Sequence, residues 1–123
     1  MVYVLAASGG CVGALARWGV TLALPRSPGH WPWATLTVNL AGCLLMGVLL
    51  AVLGARRPED DRLRTFLGAG VLGGFTTFSA FAVEVADLLR AGAPALAVGY
   101  VAVSVLGGLL AVAAGLRIGG ARA

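Results

Sequence analysis

Charge is scarce in this sequence: 11% of its 123 residues are charged, against roughly a quarter in soluble domains. That shortage excludes an ordinary water-facing surface. Lysine is absent altogether, so nine arginines carry the positive charge against Glu59, Asp60, Asp61, Glu84 and Asp87, for a net charge of +4. A pI near 10 could indicate nucleic acid. The arginines, however, gather at the ends of apolar runs, where they read as topology determinants and headgroup contacts, and no nucleic-acid partner is expected. The single histidine, His30, lies in the connector of residues 25–33 between Trp31 and the prolines, and reads as a solvated neighbour of interfacial tryptophans. Cys11 and Cys43 fall inside apolar runs without metal-ligand spacing. They read as small packing residues. Nothing resembles a Walker motif, a catalytic triad or a site for metal-activated water, which excludes an enzyme. The N-terminus has no basic stretch and Arg17 interrupts its apolar run, so the first apolar segment is expected to be retained rather than cleaved.

What is abundant is apolar length: 59% of residues are hydrophobic and the mean hydropathy is +0.94. Runs at residues 2–24, 33–53, 63–89 and 95–116 each cover the roughly 20 residues a spanning helix needs. The expectation is one all-α membrane domain over residues 1–123 with four transmembrane helices. Four helices make a thin bundle, so oligomerisation is expected too. Small-xxx-small pairs at Gly9/Gly13, Gly70/Gly74 and Gly115/Gly119, with Gly42 and Gly47 in the second run, allow close helix approach in lipid.

The run Gly73-Gly74-Phe75-Thr76-Thr77-Phe78-Ser79-Ala80-Phe81 sets two glycines, three hydroxyls and three rings inside the third apolar segment. It predicts an interrupted helix, tolerated at membrane depth only where freed backbone groups meet protein, water or an ion. The carbonyls released around residues 73–77 are hard oxygen ligands suited to a small hard cation. Among polar residues in the spans, Asn39 is the only amide; its carboxamide can donate to an anion or bond a neighbouring helix. Phe78 and Phe81 are three apart, and Tyr100 and Ser104 four apart, so each pair shares a helix face and could line one path. Ring edges are electropositive. Two such edges can approach an anion without holding it too tightly to leave, although packing or lipid contact would also use them.

The run at residues 73–81 closely resembles the GGxTTFSTF signature of the Fluc (CrcB) fluoride channels. Gly9-Gly10-Cys11-Val12-Gly13-Ala14-Leu15-Ala16-Arg17 resembles that family's GGxxGAxxR motif, and Thr35-Leu36-Thr37-Val38-Asn39-Leu40-Ala41-Gly42 its TLxVNxxG motif. The resemblance covers essentially the whole chain. It implies an antiparallel, dual-topology-type dimer with two fluoride pathways and a central structural sodium ion. It further implies that Asn39, Thr77, Phe78, Phe81, Tyr100 and Ser104 belong to the pathway, with Arg17 contributing vestibule electrostatics or interhelical bonding, and that the backbone carbonyls of Gly73 and Thr76 are this subunit's share of the sodium site. The implied role is passive fluoride export across a bacterial or archaeal cell (inner) membrane by a multi-pass protein. Ala80 departs from the signature, which has threonine there.

The alternative is a small proton-coupled multidrug-type exporter, which needs a membrane-embedded carboxylate. Glu84 is the candidate; beside Asp87 near the end of the third run, its plainer reading is solvation or pairing with Arg90. Topology leaves homodimer and heterodimer with an oppositely oriented paralogue both open. Arg56, Arg57, Arg62, Arg64, Arg117 and Arg122 share the side of the termini, against Arg26 and Arg90 opposite, which favours cytoplasmic termini. Accessibility tags on this chain expressed alone are therefore expected to report mainly one orientation; equal labelling from both sides would refute that bias.

Overall fold

The computed structural model describes residues 1–122, Arg122 by its backbone alone. Described in chain order, α1 is Val2–Ala23 and α2 is Trp33–Arg56. The third helical stretch, α3, covers residues 61–75: a first turn Asp61–Arg64, a π-helical stretch Thr65–Leu72 and a last turn Gly73–Phe75. After two extended residues come α4, Phe78–Arg90, and α5, Pro94–Arg122. Asp60 caps α3 by accepting from the Leu63 amide at 3.0 Å, the role its short carboxylate suits at a helix start. Both chain reversals on the side opposite the termini use glycine with positive φ, Gly29 at 74° and Gly92 at 71°, a region side chains with a Cβ disfavour.

Among the described residues, three stretches are long and apolar enough to cross a membrane: Trp33–Arg56, Asp61–Arg90 and Pro94–Ala121. The fourth expected span, α1, has 22 residues, about 33 Å at 1.5 Å per residue, but Arg17, Ser8 and its glycines make it less apolar than the other three. Outward side chains such as Leu15, Leu22, Val98, Leu109 and Leu110 are exposed. An aqueous surface of that kind would be costly; in lipid it is not. The enclosed core is correspondingly small, with Leu36, Leu88, Ala97 and Tyr100 at its centre.

The helices pair out of sequence. Going up α2, Leu40 meets Gly107, Cys43 meets Gly108, and Gly47 meets Gly115, so α2 and α5 run parallel. Gly9 likewise meets Gly70 and Gly13 meets Val71 and Phe75, so α1 runs parallel to α3. Parallel pairing of non-consecutive helices requires the intervening helix to run back. At their tightest points both seams are backbone against backbone. A Cβ at Gly9 would collide with the Phe66 carbonyl oxygen and sit 2.9 Å from the Gly70 Cα; one at Gly13 would collide with the Val71 carbonyl. In the other seam a Cβ at Gly47 would strike the Val112 carbonyl, and one at Gly115 the Leu44 carbonyl. The spacing pairs in the sequence thus face one another, and the π-helical stretch supplies the carbonyls that α1 packs against. Its widened turns were not legible in the sequence, although such stretches recur at functional sites.

Substituting valine for Gly13 or Gly47 is expected to destabilise the folded protein by about 1–3 kcal/mol or more through overpacking. Alanine at Gly10, where an added Cβ meets nothing within 4 Å, should be neutral. Thermal denaturation in detergent distinguishes the two classes.

Candidate functional site

The break between α3 and α4 is two residues of extended backbone, Thr76 at φ −79°, ψ 159° and Thr77 at φ −150°, ψ 120°. Local chemistry produces it. Thr76 folds its hydroxyl back on the Leu72 carbonyl at 2.9 Å, and its amide donates to the same oxygen at 3.0 Å. Thr77 caps α4, its Oγ1 accepting from the Ala80 amide at 3.2 Å and lying 3.2 Å from the Ser79 Oγ. The remaining backbone groups of Thr77 are taken by one side chain on α2. Its N–H donates to Asn39 Oδ1 at 2.8 Å, and its carbonyl accepts from Asn39 Nδ2 at 3.0 Å. The carboxamide acts as a substitute peptide group. Asn39 therefore serves as interhelical bond and keeps one further N–H for the cavity it lines, since an amide nitrogen carries two.

These diversions bear on the two carbonyls singled out as cation ligands. In an uninterrupted helix the Gly73 carbonyl would accept from the Thr77 N–H, and the Thr76 carbonyl from the Ala80 N–H. Both donors are spent elsewhere, on Asn39 Oδ1 and Thr77 Oγ1. Gly73 and Thr76 thus present oxygen dipoles without their helical partners, a donor set that fits a hard cation.

Beside the break lies a cavity of about 310 Å³ lined by Asn39, Cys43, Thr76, Thr77, Phe78, Phe81, Ser104 and Val105. Phe78 and Phe81 have ring centroids 5.8 Å apart and planes tilted by 43°. Phe78 is 80% exposed, so one wall of this cavity is open. Ser104 reaches the cavity but Tyr100 does not: it is fully buried, behind the Phe81 ring at 5.3 Å. Arg17 also stands apart, half-buried in a second cavity of about 320 Å³ on the other side of α4, where Thr35, Thr77 and Glu84 are its polar neighbours. A third hollow adds Arg26 and Ser79 to this side.

Glu84 departs from its plainer reading as a solvated or Arg90-paired residue. Arg90 lies 3.5 Å from Asp87, which also pairs with Arg26 at 3.1 Å. Glu84 is buried, its Oε1 accepting from the Thr35 hydroxyl at 2.7 Å and its Oε2 from the Tyr100 hydroxyl at 2.8 Å. The burial follows from spacing: Thr77, Phe81, Glu84 and Leu88 are separated by four, three and four residues, one inward face of α4. That periodicity was available in the sequence and pointed to the inward face of Glu84, though not to its partners on α2 and α5.

Helices long and apolar enough to span a bilayer, with an interrupted, hydroxyl-rich third stretch beside an aromatic cavity, define a multi-pass membrane protein. The CrcB-like protein, Camphor Resistance (CrcB) family matches residues 4–116. Among relatives, a protein from Paracoccus denitrificans named "Fluoride-specific ion channel FluC" is 49% identical over 92% of this chain and 90% of its own length. One of the same name from Hyphomonas neptunium is 48% identical over 93% and 91%. A "Fluoride-specific ion channel FluC 2" from Thermobifida fusca is 47% identical over 88% and 80%. The chain belongs to the CrcB-like family, whose relatives bear the name of a channel and not of an enzyme.

Asn39→Ala is expected to cost about 1–3 kcal/mol by leaving both Thr77 backbone groups unpaired. Thr35→Val, which removes one of two donors to a buried carboxyl, should cost a similar amount. Chemical or thermal denaturation of each variant in detergent, set beside Thr37→Val at an exposed position, checks both values.

Proposed function

We propose that this chain is a subunit of a fluoride-selective passive channel, exporting cytoplasmic fluoride and so lowering its toxicity. The observation that carries the reading is the cavity beside the helix break, where a spare Asn39 N–H, the Ser104 hydroxyl and two tilted phenylalanine rings converge. Its relatives' names supply the ion. Fluoride is small and holds water tightly, so a pathway must replace that hydration without trapping the ion. One amide donor and electropositive ring edges meet this requirement better than a buried arginine, and Arg17 lies in a different cavity.

The functional unit we propose is a dimer of two oppositely oriented four-span subunits, with α1 as the fourth span beside α3. The exposed Phe78 ring and the open wall of the cavity support a partner that completes the site. The partner is a second copy of this chain or a paralogue of opposite orientation. A structural sodium ion at the dimer centre would be held by the Gly73 and Thr76 carbonyls, two ligands from each subunit, and would supply positive potential near the pathway. We place the protein in the cell (inner) membrane. Neutral hydrogen fluoride crosses lipid and ionises in a more alkaline cytoplasm. An inside-negative potential then drives the anion out with about 2.3 kcal/mol per charge per 100 mV, and no coupled energy source is needed.

The second reading, a proton-coupled exporter, gains one observation in its favour, the buried carboxyl of Glu84 held by two hydroxyls. Glu84→Gln separates the two, because a coupled exporter loses proton-driven transport altogether while a channel still passes fluoride down its gradient.

Liposomes containing only this chain and a potassium ionophore are expected to lose fluoride rapidly, as read by a fluoride electrode, and to retain chloride. Phe78→Ile and Phe81→Ile should each slow that loss about tenfold or more, the factor that 1.4 kcal/mol of lost contact energy represents, with the dimer still assembled. Unchanged flux in both variants would remove the assigned pathway.

A further inference from the structure

Two charges lie within the apolar helices without a direct partner of opposite sign. Glu84 is the only buried acidic side chain among the described residues. Both of its oxygens accept, from Thr35 at 2.7 Å and from Tyr100 at 2.8 Å, and both donors are neutral hydroxyls. Arg17, half-buried in α1, pairs directly with no carboxylate among the described residues. Each charge would be costly alone, since an ion withdrawn from water needs a compensating charge.

The fold sets the two on the same space. The hollow of about 320 Å³ is lined by Arg17 and Thr21 from α1, Thr35 and Val38 from α2, and Ala80 and Glu84 from α4. The hollow beside it again has Arg17 and Glu84 in its wall. The other arginines on this side of the protein are committed: Arg26, which borders the second hollow, pairs with Asp87 at 3.1 Å, and Arg90 lies 3.5 Å from the same carboxylate. The first hollow has room for several waters, each about 30 Å³ in the liquid. Its walls offer them what buried waters require, guanidinium N–H donors on one side and, on the other, carboxylate lone pairs that the two hydroxyls leave unused. An anion in the same space would be repelled by Glu84, so the hollow suits Arg17 as a partner of that carboxylate better than as a contact for a transported ion.

We infer that Arg17 is the counter-charge of Glu84, joined to it through water in the hollow between α1, α2 and α4, and that it acts as a positioning residue. Its reach extends to the cavity. Glu84 takes the Tyr100 hydroxyl, and the Tyr100 ring backs Phe81 at a centroid distance of 5.3 Å, so a charge on α1 steadies the aromatic wall from the far side of α4.

Thermal melting of the whole protein in detergent tests the pairing, with Arg17→Gln, Glu84→Gln and the double variant. Arg17→Gln strands a buried carboxylate and should lower the melting temperature by about 5 °C or more. Glu84→Gln strands a half-buried guanidinium that water can reach, and should lower it less. The double variant should melt above Arg17→Gln, because the second substitution removes the charge that the first one strands. Arg17→Lys, which keeps the charge, should stay near the native value. If Arg17→Gln does not fold, recovery of a folded protein in the double variant is still the expected result. Losses that simply add, an Arg17→Gln protein as stable as the native one, or a lysine variant as unstable as the glutamine variant would each overturn the proposal. So would recovery of Arg26→Gln, rather than Arg17→Gln, on adding Glu84→Gln, since Arg26 would then be the counter-charge. Melting requires no ion flux, so this outcome and that of the channel reading are independent.

Discussion

Asn39 presents to Thr77 what a peptide group would present, one carbonyl oxygen and one N–H, and through that pair the ends of the broken helix are held to α2. Without it the extended turn would leave a donor and an acceptor of Thr77 unpaired in an apolar setting, and the chain would regain them by closing the helix. The rest of the site follows from keeping the break open. It turns the Gly73 and Thr76 carbonyls away from their helical partners, starts α4 at Phe78, and thereby sets Phe78 and Phe81 against the cavity. One side chain on a neighbouring helix fixes both the carbonyls that lack helical partners and the ring-lined wall of the cavity.

The reading of fold class and of the third stretch was available from composition and from the run at residues 73–81, because scarcity of charge and a glycine–hydroxyl interruption are strong signals in lipid. The glycine spacings also pointed to the two seams, although not to which glycine met which. Less was legible where function depends on tertiary approach. Tyr100 and Ser104 share a helix face by spacing, yet one is sealed behind Phe81 and the other reaches the cavity, a distinction set by where α4 crosses α5. Glu84 looked like a residue near a helix end. Its burial depends on Thr35 and Tyr100, contributed by two other helices, and only the inward periodicity of α4 hinted at it.

Arg17 illustrates the same limit from the other side. Sequence places it in the first apolar run, where a charge must find water or a partner. The fold places it not in the aromatic cavity but in a separate polar hollow shared with Thr35, Thr77 and the Glu84 carboxyl. Thr77 borders the hollows on both sides of α4. The break is therefore a thin partition, one residue across, between a region bearing arginine and a region bearing ring edges.

The two glycine seams have a mechanical consequence. Where helices meet through side chains, rotamer changes let an interface widen or narrow at modest cost. Where they meet backbone to backbone, as α1 meets α3 at Gly9 and Gly13 and α2 meets α5 at Gly47 and Gly115, there are no rotamers to change. The two seams thus fix α1 against α3, and α2 against α5, at backbone contact distance. Neither seam can widen by repacking, so each pair of helices moves as one unit.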